Sequence, residues 1–415
     1  MKLIGPFRQL LPMTGLPLRG ALSDHQLPVL EHAGLVVADG LVREIGPFRD
    51  LHDQAKSNNM EIQLIEGERT ALPGFVDAHT HICHSGSRAA DYALRNAGMT
   101  YLEIAAAGGG IWDTVSRTRE SSLDALISGI VKRARKHLGE GVTTIEVKSG
   151  YGLSIEGELK MLHAIRDAGK LLDTDLVPTC LAAHIVPRDF SGSPSEYLRL
   201  LSSRLLPAIK EAGLCHRVDA FIETTAFSPA EIAPYFSEAK RLGFDITVHA
   251  DQFTTGGSGV AVDVEAVSAD HLEASTGLEI ERLAKSRVIA TALPGASIGL
   301  GCNFAPARAL LDAGAALAIA SDWNPGSAPM GQLLAQAAIL GAFEKLTNAE
   351  VLAGITFRAA AALRLPDRGS LEVGKLADLA VFATDDYREI LYRQGSLLPE
   401  SVWKKGRLVF QTTNP

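Results

Sequence analysis

Between residues 75 and 320, short β-branched or apolar runs alternate with longer stretches of helical periodicity. The eight runs are Phe75–Asp77, Thr143–Val147, Val177–Ala182, Val218–Ile222, Asp245–Val248, Glu265–Ala269, Val288–Ala292 and Ala316–Ala320. Several have the fully apolar look of strands buried on both faces, as in a parallel sheet. The stretches between them carry helix boundaries. Ser228-Pro229-Ala230-Glu231 is a capping box with proline at the first helical position, and Gly243 closes that helix. Ile155, Leu159, Leu162 and Ile165 share one apolar helical face. Strand then helix, repeated through the chain, gives parallel strands joined by right-handed crossovers. Eight units predict a closed (β/α)8 barrel of the TIM type. The competing fold is an open doubly wound sheet, but no GxGxxG turn follows the first strand.

The two ends read differently. Leu35–Ala38, Asp39-Gly40 and Leu41–Ile45 form a hairpin with a DG turn, and Ser401–Lys404, Lys405-Gly406 and Arg407–Phe410 form a second. Neither end has a long helical pattern. A chain of 415 residues fits one large domain with a smaller one. Residues 1–69 and 369–415 are therefore expected to pair into a small composite β-sandwich domain beside a barrel spanning 70–368.

The net charge of −8, without a long basic block, argues against nucleic acid or an anionic membrane as partner. Cys83, Cys180, Cys215 and Cys302 form no CxxC pair, which fits a reducing, cytoplasmic setting. Pro6 and Arg8 interrupt the apolar N-terminus. No signal peptide and no membrane-spanning run is expected.

In a barrel of this type the chemistry sits at the C-terminal ends of the strands. His79 and His81 follow the first strand, Lys148 to Tyr151 the second, His184 the third and Glu223 the fourth. His249 to Gln252 follow the fifth, Asp270-His271 the sixth, and Asp322 with Asn324 to Ser327 the eighth. On extended backbone, residues two apart point the same way, so His79 and His81 can aim at one point above the barrel mouth. His249 and Asp322 reach the same mouth. Singly, each has an ordinary structural explanation: a chance HxH, a satisfied buried histidine, a helix N-cap. Their coincidence at strand ends on one face suggests ligands for Zn²⁺ or Fe²⁺ with room for a water, which such an ion would acidify. Arg88 is either a solvated charge or a clamp for a substrate carboxylate. Lys148 is either a carbamylated bridge between two metals or, as preferred, a structural lysine. Cys83, His84 and His163 look incidental.

The HTH pair, the positions of His249 and Asp322, and GSLEVGKLADLAVF (Gly369–Phe382) resemble the amidohydrolase superfamily. SGSR (Ser85–Arg88), TYLEIAAAGGGI (Thr100–Ile111), EVKSGYGL (Glu146–Leu153), AHIVP (Ala183–Pro187), HADQ (His249–Gln252), SADHLE (Ser268–Glu273) and SDWNPGS (Ser321–Ser327) resemble, more narrowly, its imidazolonepropionase family. The resemblance covers most of the chain. It implies hydrolysis of the cyclic amide of 4-imidazolone-5-propanoate to N-formimidoyl-L-glutamate in histidine breakdown. It implies one zinc or iron ion per chain at His79, His81, His249 and Asp322, and a homodimer. Arg88 would hold the propanoate carboxylate, Tyr151, His184 and Gln252 would contact the ring, and Asn324, Gly326 and Ser327 would line the product side. Asp322, helped by His271, would take the water's proton, and His184 would help stabilise the oxyanion. Ser327 stands where the family often has threonine, and Gln252 where some members and the related deaminases carry glutamate. A metal-dependent aminohydrolase acting on another heterocycle is the alternative activity. A ligand-binding barrel without catalysis is a third reading, which the intact metal set disfavours.

Overall fold

The chain passes from one sheet to another at Gly74. The computed structural model describes residues 1–99, 103–104 and 107–412. Before Gly74 lie β1 (Lys2–Leu10), β2 (Leu30–Ala38), β3 (Leu41–Pro47), β4 (Glu61–Leu64) and β5 (Thr70–Pro73). After it come β6 (Phe75–Asp77), β7 (Val142–Lys148), β8 (Asp175–Ala183), β9 (Arg217–Ile222) and β10 (Asp245–Ala250). Then follow β11 (Ser268–His271), β12 (Ile289–Ala292) and β13 (Ala316–Ile319), and finally β14 (Leu379–Phe382), β15 (Ser401–Lys404) and β16 (Arg407–Gln411). The crossing is tight: a Cβ at residue 74 would lie 2.4 Å from the Thr143 side chain, so only glycine fits.

β6 to β13 pair in chain order and every neighbouring pair is parallel. Helices fill the crossovers, as in Ile155–Gly169 and Pro229–Arg241, whose N-caps are Ser154 and Ser228. The sheet closes at its C-terminal rim. Asp322 N–H donates to the His79 carbonyl at 3.0 Å, and His81 N–H donates to the Trp323 carbonyl at 2.9 Å. Just below, Asp77 spans the seam: Ser321 N–H donates to its Oδ1 at 3.0 Å and the Ser321 hydroxyl to its Oδ2. This is the predicted (β/α)8 barrel.

One strand is displaced from its predicted place. Glu265 has a φ of +51° and lies in the turn after the helix Gly257–Asp263, so the sixth barrel strand is Ser268–His271 rather than Glu265–Ala269. The apolar pair Ala266-Val267 leads into the strand, and its functional end is the polar Asp270-His271. His249 likewise lies inside β10, which runs two residues past its predicted end.

The flanks form one further sheet in the order β16-β15-β14-β5-β1-β2-β3, with β4 also paired to β1. Both predicted hairpins are present. The sheet curls so that they meet: Ala377 N–H donates to the Gly40 carbonyl at 3.0 Å, and Gly406 N–H donates to the Ala377 carbonyl at 2.8 Å. Phe7, Leu35, Val42, Leu379 and Trp403 are buried between them. Among the described residues no helix is long and apolar enough to cross a membrane.

Candidate active site

His79 and His81 leave β6 with their backbone gripped from β7. The Thr80 N–H between them donates to Glu146 Oε2 at 3.1 Å, and the Thr80 carbonyl accepts from the Lys148 N–H at 2.9 Å. Held so, the two rings turn the same way. Their Nε2 atoms are 3.2 Å apart, and His249 Nε2 from β10 lies 3.3 Å from that of His81. Asp322 closes the group, its Oδ1 at 3.6 Å from His79 Nε2 and 3.4 Å from His81 Nε2. All four side chains are buried. These four residues, expected from the sequence at one mouth, come together there in the structure.

The far sides of the rings decide what the near sides offer. His79 Nδ1 meets Asp270 Oδ2 at 2.7 Å and His249 Nδ1 lies 2.9 Å from Asp219 Oδ2. A carboxylate there keeps the ring proton on Nδ1, so Nε2 turns a lone pair inward. Burial also keeps the rings neutral. It lowers His79 well below the ordinary histidine range, His81 to about 3 and His249 to about 4, in the last case against the pull of Asp219. Neutral lone pairs facing one another across about 3 Å, with a carboxylate alongside, fit a divalent metal ion. His271 adds a further nitrogen near His79 and His249. Its Nδ1 meets Glu273 at 3.3 Å; burial opposes its charged form, but Glu273, then Asp322 and Asp270, outweigh it and raise its pKa. Burial raises the Asp322 carboxyl against the pull of His271 and His249.

The other predicted residues line the same mouth, with two changes of role. The His184 ring stacks on His81, with centroids 5.6 Å apart and planes at 24°. Its Nδ1 lies 3.0 Å from the Gly150 carbonyl, which can only accept. Burial, aided by His81, lowers its pKa to about 3, so the ring is neutral and Nε2 is an acceptor. With Nε2 an acceptor in this state, the oxyanion role expected from the sequence would require the ring to be protonated, and a contact to a ring N–H fits the geometry better. Asn324 is used up within its own loop: its amide donates to the Asp322 carbonyl, Asp322 Oδ2 and Ser327 Oγ at 2.7 to 2.9 Å, and its Oδ1 accepts from Gly326 and Ser327 N–H at 2.7 and 2.8 Å. This loop holds Asp322, whose φ is +51°.

Arg88 is no solvated charge, with its side chain only 11% exposed. Nε donates to Asp91 Oδ2 at 2.8 Å, and Asp91 also accepts from Gly110 N–H at 2.8 Å. The guanidinium lies against Gly326, where a Cβ would sit 2.3 Å from Nη1. Tyr151 packs against both His81 and His184, with centroids 6.0 and 5.6 Å away. Its loop hangs from the buried Glu158, which accepts from the N–H groups of Gly150, Gly152 and Leu153 at 2.8 to 3.2 Å. Gln252 is half-buried and its amide makes no hydrogen bond with a described residue. The following Phe253 and Thr254 N–H groups donate to Glu223 at 2.9 and 3.0 Å. In the TYLEIAAAGGGI stretch, Thr100, Tyr101, Leu102, Ala105 and Ala106 lie outside the described residues.

Lys148 is not a carbamylated bridge. Its ammonium is buried 2.8 Å from Glu146 and 2.9 Å from Asp219. Burial opposes the charge, but Asp219, Glu146 and Asp270 outweigh it and raise the pKa, whereas carbamylation needs the neutral amine. Glu146, Asp219, Asp91 and Glu158 are not among the candidates that the sequence suggests. For Glu146 and Asp219 the available signal was an acidic residue inside a mostly apolar strand, for Asp91 a place three residues along from a candidate functional arginine, and for Glu158 there was none.

A parallel eight-stranded barrel with three histidines and an aspartate converging at its C-terminal mouth is the architecture of an amidohydrolase, and the sequence profile of the amidohydrolase family matches residues 94–410. Within that class the chain belongs to the imidazolonepropionase family. It is 40% identical over 395 residues to the imidazolonepropionase of Bdellovibrio bacteriovorus, covering 94% of this chain and 92% of the relative. It is 39% identical over 393 residues to that of Pseudomonas aeruginosa, covering 94% and 97%. Among solved structures, an adenosine deaminase from Xanthomonas campestris with bound zinc superposes with a TM-score of 0.70 at 20% identity, over 98% of this chain and 92% of the other. E. coli guanine deaminase gives 0.72 at 16% identity over 100% of each chain. At these identities the two deaminases speak for the fold.

Proposed function

We propose that this chain opens the ring of 4-imidazolone-5-propanoate by hydrolysing its cyclic amide to N-formimidoyl-L-glutamate, a step of histidine degradation. It is a hydrolase acting on a C–N bond, as its family membership implies. The observation that carries the substrate assignment is the largely enclosed Arg88 at the same mouth as the histidine cluster, lying against the loop that holds Asp322. Asp91 takes Nε, which leaves the guanidinium's terminal nitrogens to grip a carboxylate.

His79, His81, His249 and Asp322 would hold one zinc or iron ion. Bound there, such an ion supplies Lewis acidity and lowers the pKa of water toward neutrality. Asp322, raised by burial and steadied by Asn324, takes the proton of the attacking water, with His271 beside it. The water oxygen bonds to the ring carbonyl carbon, the ring C–N bond breaks, and the proton held by Asp322 is available to the departing nitrogen. His184 Nε2 accepts from a ring N–H, Tyr151 packs against the ring, and Gln252 orients it through its amide. Ser327, whose hydroxyl lies 3.4 Å from Asp322 Oδ2, and Gly326 line the product side. The enzyme would work in the cytoplasm as a homodimer.

His249→Ala tests the site. Removing one ligand leaves a weaker, misplaced set, so bound metal falls sharply and turnover is abolished. Full metal content with near-native turnover in that variant would exclude His249 as a ligand.

A further inference from the structure

Lys148 occupies an unusual position. Its ammonium is buried below the histidine cluster, 2.8 Å from Glu146 Oε1, 2.9 Å from Asp219 Oδ2 and 4.0 Å from Asp270 Oδ2. The three acids come from three different strands, β7, β9 and β11. None of the four side chains is more than 1% exposed. Three buried carboxylates facing one point are the donor set of a hard divalent cation, and the ammonium stands at that point.

Each acid also reaches the residues of the histidine cluster, Asp219 and Asp270 through the same Oδ2 atoms that face Lys148 and Glu146 through its other oxygen. Asp270 meets His79 Nδ1 at 2.7 Å. Asp219 accepts from the His249 N–H at 3.1 Å and lies 2.9 Å from its Nδ1. Glu146 accepts from the N–H of Thr80, between His79 and His81. The acids therefore have two competing uses. They can orient the imidazoles from behind, or they can gather a cation of their own.

We propose that Lys148 is a built-in cation that holds the place of a second metal, so that the site binds one ion and Asp219, Asp270 and Glu146 serve only to orient its ligands. In this role Lys148 is a positioning residue. The inference rests on the metal site proposed above.

The test counts ions. Native protein and Lys148→Ala are stripped with a chelator, reloaded with Zn²⁺ or Mn²⁺, freed of excess by gel filtration, and assayed for metal per chain by mass spectrometry. The native chain holds one ion, and Lys148→Ala, with the carboxylates released and a cavity the size of the lost side chain, holds two. One ion or fewer in folded Lys148→Ala overturns the proposal, as does a second ion in the native protein. A native chain that binds none would instead overturn the metal site itself. If Lys148→Ala is insoluble when made without added metal, excess divalent metal during expression should return folded chain carrying two ions. Failure of every divalent ion to do so also overturns the proposal.

Discussion

At the scale of single residues several side chains of the site are fixed from behind, among them His79, His249 and Arg88. Arg88 shows the consequence. Asp91 holds Nε and Gly326 leaves room for the guanidinium, so its terminal nitrogens are presented in one orientation. Arg88→Met removes charge-assisted hydrogen bonds worth about 1.5–3 kcal/mol. Catalytic efficiency on the imidazolone should fall by about one to two orders of magnitude, and an unchanged efficiency would show that Arg88 does not touch substrate. Gln252 separates ring opening from deamination. Its amide does not titrate near neutral pH, so Gln252→Glu should keep some ring-opening activity with an altered pH–rate profile, while the native protein deaminates neither guanine nor adenosine. Superimposable pH profiles for the two proteins would mean that residue 252 stands clear of the reacting groups. The convergence of His79, His81, His249 and Asp322 was legible because strand periodicity aims them at one mouth. The hydrogen bonding of His184 and Asn324 was not, because a tautomer depends on the Gly150 carbonyl and an amide's saturation on Gly326 and Ser327, neither of which a linear pattern reveals.

At the scale of elements, the place to look is the seam between β6 and β13. Asp77 bridges it through Ser321 and also meets His137 Nε2 at 3.0 Å, while His137 Nδ1 meets Glu140 at 2.9 Å. The His137 ring lies edge-on to Trp323, with centroids 4.6 Å apart, and Lys136 sits 3.6 Å from Glu140. Burial opposes a charge on His137, but Asp77 and Glu140 outweigh it and raise its pKa. A histidine raised in the folded state stabilises fully below its unfolded value of about 6.5 and loses that contribution as pH rises through the folded value. The melting temperature of the native protein should therefore exceed that of His137→Gln most at low pH, and the gap should close as pH rises above neutral; a gap independent of pH would show that His137 is not charged in the fold. Most strands and both hairpins were legible from apolar runs and DG or KG turns. The sixth barrel strand was displaced because its apolar lead-in, Ala266-Val267, precedes the ladder while its polar end, Asp270-His271, lies within it.

At the scale of the whole molecule, a closed barrel brings residues far apart in sequence, such as His79 and Asp322, to one point, and the curled flanking sheet joins the two ends of the chain. The alternation of eight strands with helices made that architecture legible. The closing of the seam through Asp77, and the meeting of the two hairpins at Ala377, depend on tertiary contacts that no local run encodes. The proposed activity of this mouth is opening of an imidazolone ring by addition of water, with no release of ammonia. It is tested most directly by incubating purified, metal-loaded protein with 4-imidazolone-5-propanoate and following the loss of its ultraviolet absorbance together with an ammonia assay. The absorbance should decay as N-formimidoyl-L-glutamate accumulates, with no ammonia formed; a stable absorbance, alongside ammonia release from another heterocycle such as guanine or adenosine, would contradict it.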